Sequence, residues 1–284
     1  MDIIRSVSQM QQRAVTARTA GQTIAFVPTM GFLHQGHLSL LEEGRKRGDL
    51  LVLSIFVNPA QFGQGEDFED YPRDLQHDSE LVEKIGVDIL FAPDAVEMYP
   101  QGYATFVDVG GISETLCGAS RPGHFRGVCT VVSKLFNIVQ PQVAIFGTKD
   151  FQQLAVVKRM TLDMNMAVEI LGMPIFREAD GLAMSSRNIY LTADQRRQAL
   201  VLSQSLAAAR SLVRSGATVC ADIISQLKQG ISAHPDARID YVQICHQLTL
   251  EGQIKVDGDS VLLLAVYIGN TRLIDNGFLV LNND

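Results

Sequence analysis

His34 and His37 lie three residues apart, with Gly31 ahead of them and Gly36 between them, in the run Pro28-Thr29-Met30-Gly31-Phe32-Leu33-His34-Gln35-Gly36-His37. At that spacing both imidazoles share one face of a helix that starts there. The glycines let an anion approach the main chain, and free N–H groups together with the helix dipole attract phosphate. The ring nitrogens add donors of their own. A second stretch, Met184-Ser185-Ser186-Arg187-Asn188, offers hydroxyls and a guanidinium that can follow the outer phosphates of a nucleotide as they leave. Each stretch also has a plainer reading. Paired histidines bind metals, although no carboxylate or thiolate ligand accompanies these two. A histidine at a helix start can be without consequence, and Ser-Ser-Arg alone is an ordinary polar loop.

Three further clusters sit where ligands collect. Gly147-Thr148-Lys149-Asp150-Phe151-Gln152-Gln153 follows the apolar run Val143–Phe146. It puts a glycine, a lysine and a helix start at the carboxyl end of a parallel strand, the usual ligand position of such sheets. Lys149 suits a phosphate and Gln153 a polar substrate, while Asp150 with Gln153 makes an equally good helix cap. Asn58-Pro59-Ala60-Gln61-Phe62-Gly63 follows the run Leu50–Val57, and Gly63-Gln64-Gly65-Glu66-Asp67 behind it reads as a lid or as a surface turn. Arg121-Pro122-Gly123-His124-Phe125-Arg126-Gly127 suits an anion, though a solvated loop looks much the same. No G-x-G-x-x-G follows a strand and no Walker loop occurs, so a nucleotide must be held by other means.

The elements that must position these groups are legible as a rhythm. Ile24–Val27, Leu50–Val57, Val87–Ala92, Val143–Phe146 and Val168–Leu171 are short, wholly apolar or nearly so, and read as strands of a covered parallel sheet. Helical patterns alternate with them over His37–Arg47, Asp74–Ile85, Val128–Val139 and Phe151–Asp163. Such alternation predicts an α/β, doubly wound, Rossmann-like domain over 1–175. After Arg187 the rhythm changes. A capping box, Thr192 to Gln195, opens a long helix over Ala193–Arg214, a second follows near Cys220–Ile231, and Arg238–Gln247 and Ser260–Ile268 read as strands. A smaller α+β domain over 176–284, covering the site, is therefore expected.

Bulk properties restrict the function classes. The 284 residues carry a net charge of −7 with no basic block, which argues against nucleic acid as a partner. The four cysteines form no CxxC pair, so neither a zinc site nor a disulfide framework is readable. Charged residues interrupt the first twenty positions, and no apolar run is long enough to span a bilayer. A cytoplasmic protein without a membrane partner is expected.

Taken together, the motifs resemble the pantothenate synthetase (pantoate–β-alanine ligase) family. The likeness runs from Phe26 to Tyr190 through Pro28–His37, Phe56–Phe62, Asp70-Tyr71-Pro72-Arg73, Arg121–Gly127, Phe146–Gln153 and Asp180–Tyr190. In that family the histidine pair is the HIGH signature of class I nucleotidyltransferases, and Met184–Arg187 stands where relatives carry KMSKS. The resemblance implies a two-step reaction: pantoate and ATP give pantoyl adenylate and pyrophosphate, then β-alanine displaces AMP to give pantothenate. It implies that Met30, Gly31, His34, Gly36, His37, Gly147, Thr148, Lys149, Asp150, Phe176, Met184, Ser185, Ser186 and Arg187 meet ATP, with Mg²⁺ on its phosphates and no protein metal site. His37 would be the proton donor, with His34, Lys149 and Arg187 also catalytic. Gln61 and Gln153 would hold pantoate, with Asn58, Arg121 and His124 lining the substrate site more peripherally. Thr148 fills a variable slot, and Phe176 stands where the family meets adenine through main chain. A homodimer is expected on the same ground.

Two rival readings follow from the same residues. One is another HIGH-type nucleotidyltransferase that passes AMP to a phosphate acceptor; two glutamines in place of a basic acceptor pocket argue against it. The other is a non-catalytic nucleotide-binding module, which would not need the serine–arginine loop. A tRNA-charging enzyme shares both signatures, but this chain is short and acidic and shows no anticodon-binding domain.

Overall fold

The computed structural model describes residues 1–280. The chain divides into two compact units. The first comprises Met1–Glu114, Arg121–Thr148 and Gln153–Pro174; the second comprises Thr115–Ser120, Lys149–Gln152 and Ile175–Asp284.

In chain order the elements of the first unit begin with β1 (Asp2–Ile4), α1 (Val7–Thr19), β2 (Ile24–Thr29), α2 (Gln35–Arg47) and β3 (Leu50–Ile55). They continue with α3 (Leu75–Glu83), β4 (Ile89–Phe91) and α4 (Ala95–Met98). After α5 (Cys117–Ser120), which belongs to the second unit, come α6 (His124–Val139), β5 (Val143–Gly147), α7 (Phe151–Asp163) and β6 (Glu169–Met173). The sheet is parallel, in the order β1-β4-β3-β2-β5-β6. Ile24 to Val27 and Leu51 to Leu53 have no exposed surface, as continuous apolar strands covered on both faces must.

The strand order reverses between β2 and β5, which makes their carboxyl ends the ligand crevice of this architecture. The two strands stay paired only at Ala25↔Val143 and Phe26↔Ala144. Beyond that, β2 continues to Thr29 along β3 and β5 continues to Gly147 along β6, so the sheet opens where the motifs begin.

The second unit holds α8 (Ala193–Ala199), α9 (Val201–Arg214), α10 (Cys220–Ser232), β7 (Ala237–His246), β8 (Ser260–Ile268) and β9 (Thr271–Phe278). Its sheet is antiparallel in the order β7-β8-β9. Alternate β8 residues Leu262, Leu264, Val266 and Ile268 share a core with Leu202 and Leu206 of α9 and Ile223 and Leu227 of α10.

Several details depart from the sequence reading. The long helix breaks at Leu200 into α8 and α9. Helix α6 begins at His124, not at Val128, so half of the expected anion loop is its first turn; Gly123, at φ +82°, makes the entry. Five elements carry no clear signal in the sequence, α4 and α5 among them at four residues each. β1 is only three residues long, and α1 buries the narrow stripe Met10, Ala14 and Ala17, too slight for a periodicity signal. β9 contains Asp-Asn-Gly, residues that favour turns over strands.

Candidate active site

The turn between β2 and α2 is built on left-handed backbone, with Gly31 at φ +87° and Phe32 at φ +51°. A side chain at Gly31 would meet Ile55 Cγ2 at 2.9 Å and Asp78 Oδ2 at 3.2 Å, so glycine is required. Asp78 reaches this turn from α3. Its carboxylate accepts the Phe32 amide at 2.8 Å and the Leu33 amide at 2.7 Å. Burial pushes the Asp78 carboxyl up from its ordinary value despite those two bonds. Asp78 is 1% exposed, and nothing in its sequence context marks it as part of the site. The helical pattern placed it on α3; only the fold points it at the turn. Asp78→Ala removes the acceptor from two amides and is expected to cost about 1–3 kcal/mol of stability, read by urea denaturation.

His34 is the N-cap residue of α2, and its ring stacks on that of His37 with centroids 4.0 Å apart and planes at 27°. The His34 amide donates to His37 Nδ1 at 3.3 Å. An acceptor at Nδ1 leaves the proton of neutral His37 on Nε2, so the ring tip is a donor.

Asn58 caps a 3₁₀ turn, Pro59–Gln61, beyond β3, and Gln61 ends it. Asn58 Nδ2 donates to Gln61 Oε1 and to the Gly127 carbonyl, each at 3.1 Å, and Tyr99 donates to Asn58 Oδ1 at 2.7 Å. Gln61 Nε2 lies 3.0 Å from Met30 Sδ. Two motifs that are thirty-one residues apart in the chain are thus joined side chain to side chain. Close approach of α6 makes this possible, because Gly127 sits directly against the Ala60–Gln61 main chain.

Arg121 and His124 support the same turn. Arg121 grips Glu66 with Nε to Oε1 at 2.6 Å and Nη2 to Oε2 at 2.7 Å. Its Nη1 lies 3.1 Å from His124 Nε2, and His124 Nδ1 lies 2.8 Å from the Gln61 carbonyl. A guanidinium only donates and a carbonyl only accepts, so neutral His124 carries its proton on Nδ1. The segment read as a lid is therefore tied down through Glu66. Burial raises the Glu66 carboxyl, but the Arg121 bonds and charge and the Gly63 amide outweigh it and hold it at about 2. A carboxyl held below its ordinary 4.5 stabilises the fold above that value, and the gain is lost as pH falls from 4.5 toward about 2. The thermal midpoint of Glu66→Gln should lie below that of the parent at pH 7, and the gap should close on acidification through that window.

Gly147 ends β5 and Thr148–Asp150 forms a 3₁₀ turn leading into α7. Gln153 is half-buried on the first turn of α7.

In the second unit, Lys149 Nζ lies 3.9 Å from Asp150 Oδ2. Phe176 is 41% exposed, while its carbonyl accepts the Met184 amide at 3.0 Å. Ser185 caps the turn Ser186–Tyr190, its Oγ accepting the Arg187 amide at 3.3 Å. Glu178 braces this loop from the side, accepting Asn188 Nδ2 at 2.6 Å and Arg196 Nη2 at 2.7 Å. Among the described residues no three His, Cys, Asp or Glu side chains are grouped to hold a metal ion. No helix among them is long and apolar enough to cross a membrane.

A family model described as Pantoate-beta-alanine ligase matches residues 2–278. The chain belongs to the pantoate–β-alanine ligase family. It is 59% identical to the pantothenate synthetase of Syntrophotalea carbinolica over 280 residues, 99% of each chain. The crystal structure of pantothenate synthetase from Thermus thermophilus superposes with a TM-score of 0.94 at 44% identity, covering 99% of this chain and 100% of that one. The pantoate–β-alanine ligase of Francisella tularensis, crystallised with β,γ-ATP and β-alanine, has a TM-score of 0.80 at 32% identity, with 98% of both chains covered.

Proposed function

We propose that this chain condenses pantoate with β-alanine at the expense of ATP, through pantoyl adenylate. The observation that supports the reading is the contact between Gln61 and Met30, which brings an amide suited to a carboxylate substrate beside the stretch proposed to meet the nucleotide. A carboxylate oxygen of pantoate, held by Gln61 and Gln153 with Asn58, Arg121 and His124 behind them, attacks the α-phosphorus. The bond to the bridging oxygen breaks and pyrophosphate leaves. Such a displacement needs positioning and charge neutralisation more than a strong base. His37 donates a hydrogen bond through Nε2 to the α-phosphate oxygens as charge develops on them, His34 orients it, and Lys149, Ser185, Ser186 and Arg187 neutralise the outer phosphates. Met30, Gly31, Gly36, Gly147, Thr148, Asp150, Phe176 and Met184 hold the rest of the nucleotide. The amine of β-alanine then attacks the acyl carbon, a C–N bond forms, the C–O bond to AMP breaks, and the ammonium proton goes to solvent or to a phosphate oxygen.

Magnesium enters as part of the substrate, carried on the ATP phosphates. We place the enzyme in the cytoplasm as a homodimer, in keeping with its four free cysteines and its family. Exchange of labelled pyrophosphate into ATP, measured with pantoate and without β-alanine, tests the reading. Exchange that depends on pantoate is expected. Exchange without pantoate, or none at all, would sink the acyl-adenylate route and favour AMP transfer to another acceptor.

A further inference from the structure

Strand β9 carries two adjacent polar residues that are almost wholly buried, Asp275 at 2% and Asn276 at 7% exposure. Neither favours a strand, and buried polar groups persist where they have partners. Asp275 accepts both prongs of Arg177, Nη1 to Oδ2 at 2.7 Å and Nη2 to Oδ1 at 2.9 Å, and the Asn276 amide at 2.8 Å. Arg177 Nη1 also donates to the Gly181 carbonyl at 3.1 Å, and Arg177 bridges to Ala183 in antiparallel register. The fork thus braces the hairpin that leads into Met184–Arg187. Asn276 points elsewhere: its Nδ2 donates to the Lys149 carbonyl at 2.8 Å. Two neighbouring residues on one strand therefore hold two separate loops.

We propose that Asp275 and Asn276 are positioning residues for adenylation, a bracket that sets Lys149 and the Ser185–Arg187 loop in register with each other. The inference rests on the reading that those loops bind ATP. A bidentate carboxylate–guanidinium pair fixes direction as well as distance, and small misplacements of a charge on a transferring phosphate are costly.

The test is a double-mutant cycle in the full-length enzyme. Asn276→Ala is expected to raise KM for ATP about tenfold, the worth of one good hydrogen bond, with KM for β-alanine unchanged within about twofold. Lys149→Ala should impair ATP use more strongly. In the double variant the Asn276 effect should vanish, because Asn276 acts through Lys149. Effects that multiply would overturn the bracket and leave the ATP assignment standing. ATP kinetics unchanged in Lys149→Ala would overturn that assignment and the bracket with it. Should Asn276→Ala not fold, Arg177→Lys, which keeps the charge and loses the fork, is cycled against Arg187→Ala with the same expectations.

Discussion

His37→Ala is expected to lower kcat by about 10²–10⁴ while ATP binding weakens far less, because the group removed is the proposed hydrogen-bond donor to the α-phosphate and not a main binding contact. The geometry gives the reason. The His34 amide donates to Nδ1 of His37, so the neutral ring presents its N–H at Nε2. Stacking on His34 fixes the plane of the ring. That donor is worth most when charge develops on the α-phosphate oxygens, and a contact that strengthens in the transition state appears in kcat. Steady-state kinetics with ATP binding measured separately by calorimetry resolves the two. Turnover unchanged in His37→Ala would remove this donor from the mechanism.

Gly127→Ala should be as damaging, although it lies on a helix and alters no functional group. A Cβ there would stand 2.2 Å from the Ala60 carbonyl oxygen, 2.4 Å from its carbon and 2.6 Å from Gln61 Cα. These are main-chain atoms, so no rotamer relieves the clash. Helix α6 and the Asn58–Gln61 turn would have to separate by about 1 Å, at a cost of about 1–3 kcal/mol or more. The same movement weakens the bond from Asn58 to the Gly127 carbonyl and carries Gln61 out of place. A displacement of about 1 Å near the reacting atoms is worth about 10²-fold in rate. The expected result is a lowered thermal midpoint together with pantoate-dependent pyrophosphate exchange reduced by roughly that factor. A variant with parent stability and parent exchange would show that α6 and the turn are not in the contact described.

The periodicity of apolar runs decided the parallel sheet, because strands covered on both faces must be apolar throughout, and β2, β3 and β5 lie where those runs fall. Motif spacing also placed the histidine pair at a strand-to-helix junction, since the glycines and the short turn leave few alternatives. The Leu200 break, by contrast, falls between a polar turn, Ala193–Ala199, and the helix Val201–Arg214, with no glycine or proline to mark it.

Residues alone were enough for the alternation of strands and helices, the family likeness and the stretches proposed to carry the chemistry. Each depends on neighbours in the chain, through pattern, propensity and local turn geometry. Which side chain holds which emerges only from the folded chain. Asp78 looks like any acidic residue on an amphipathic helix until its oxygens are seen on the Phe32 and Leu33 amides. Asp275 and Asn276 look like a turn until Arg177 and the Lys149 carbonyl take up their polar atoms and let them lie in a strand. The physical reason is the same in both cases. A buried polar group is tolerated only with a partner, and that partner comes from a distant part of the chain that local sequence does not reveal.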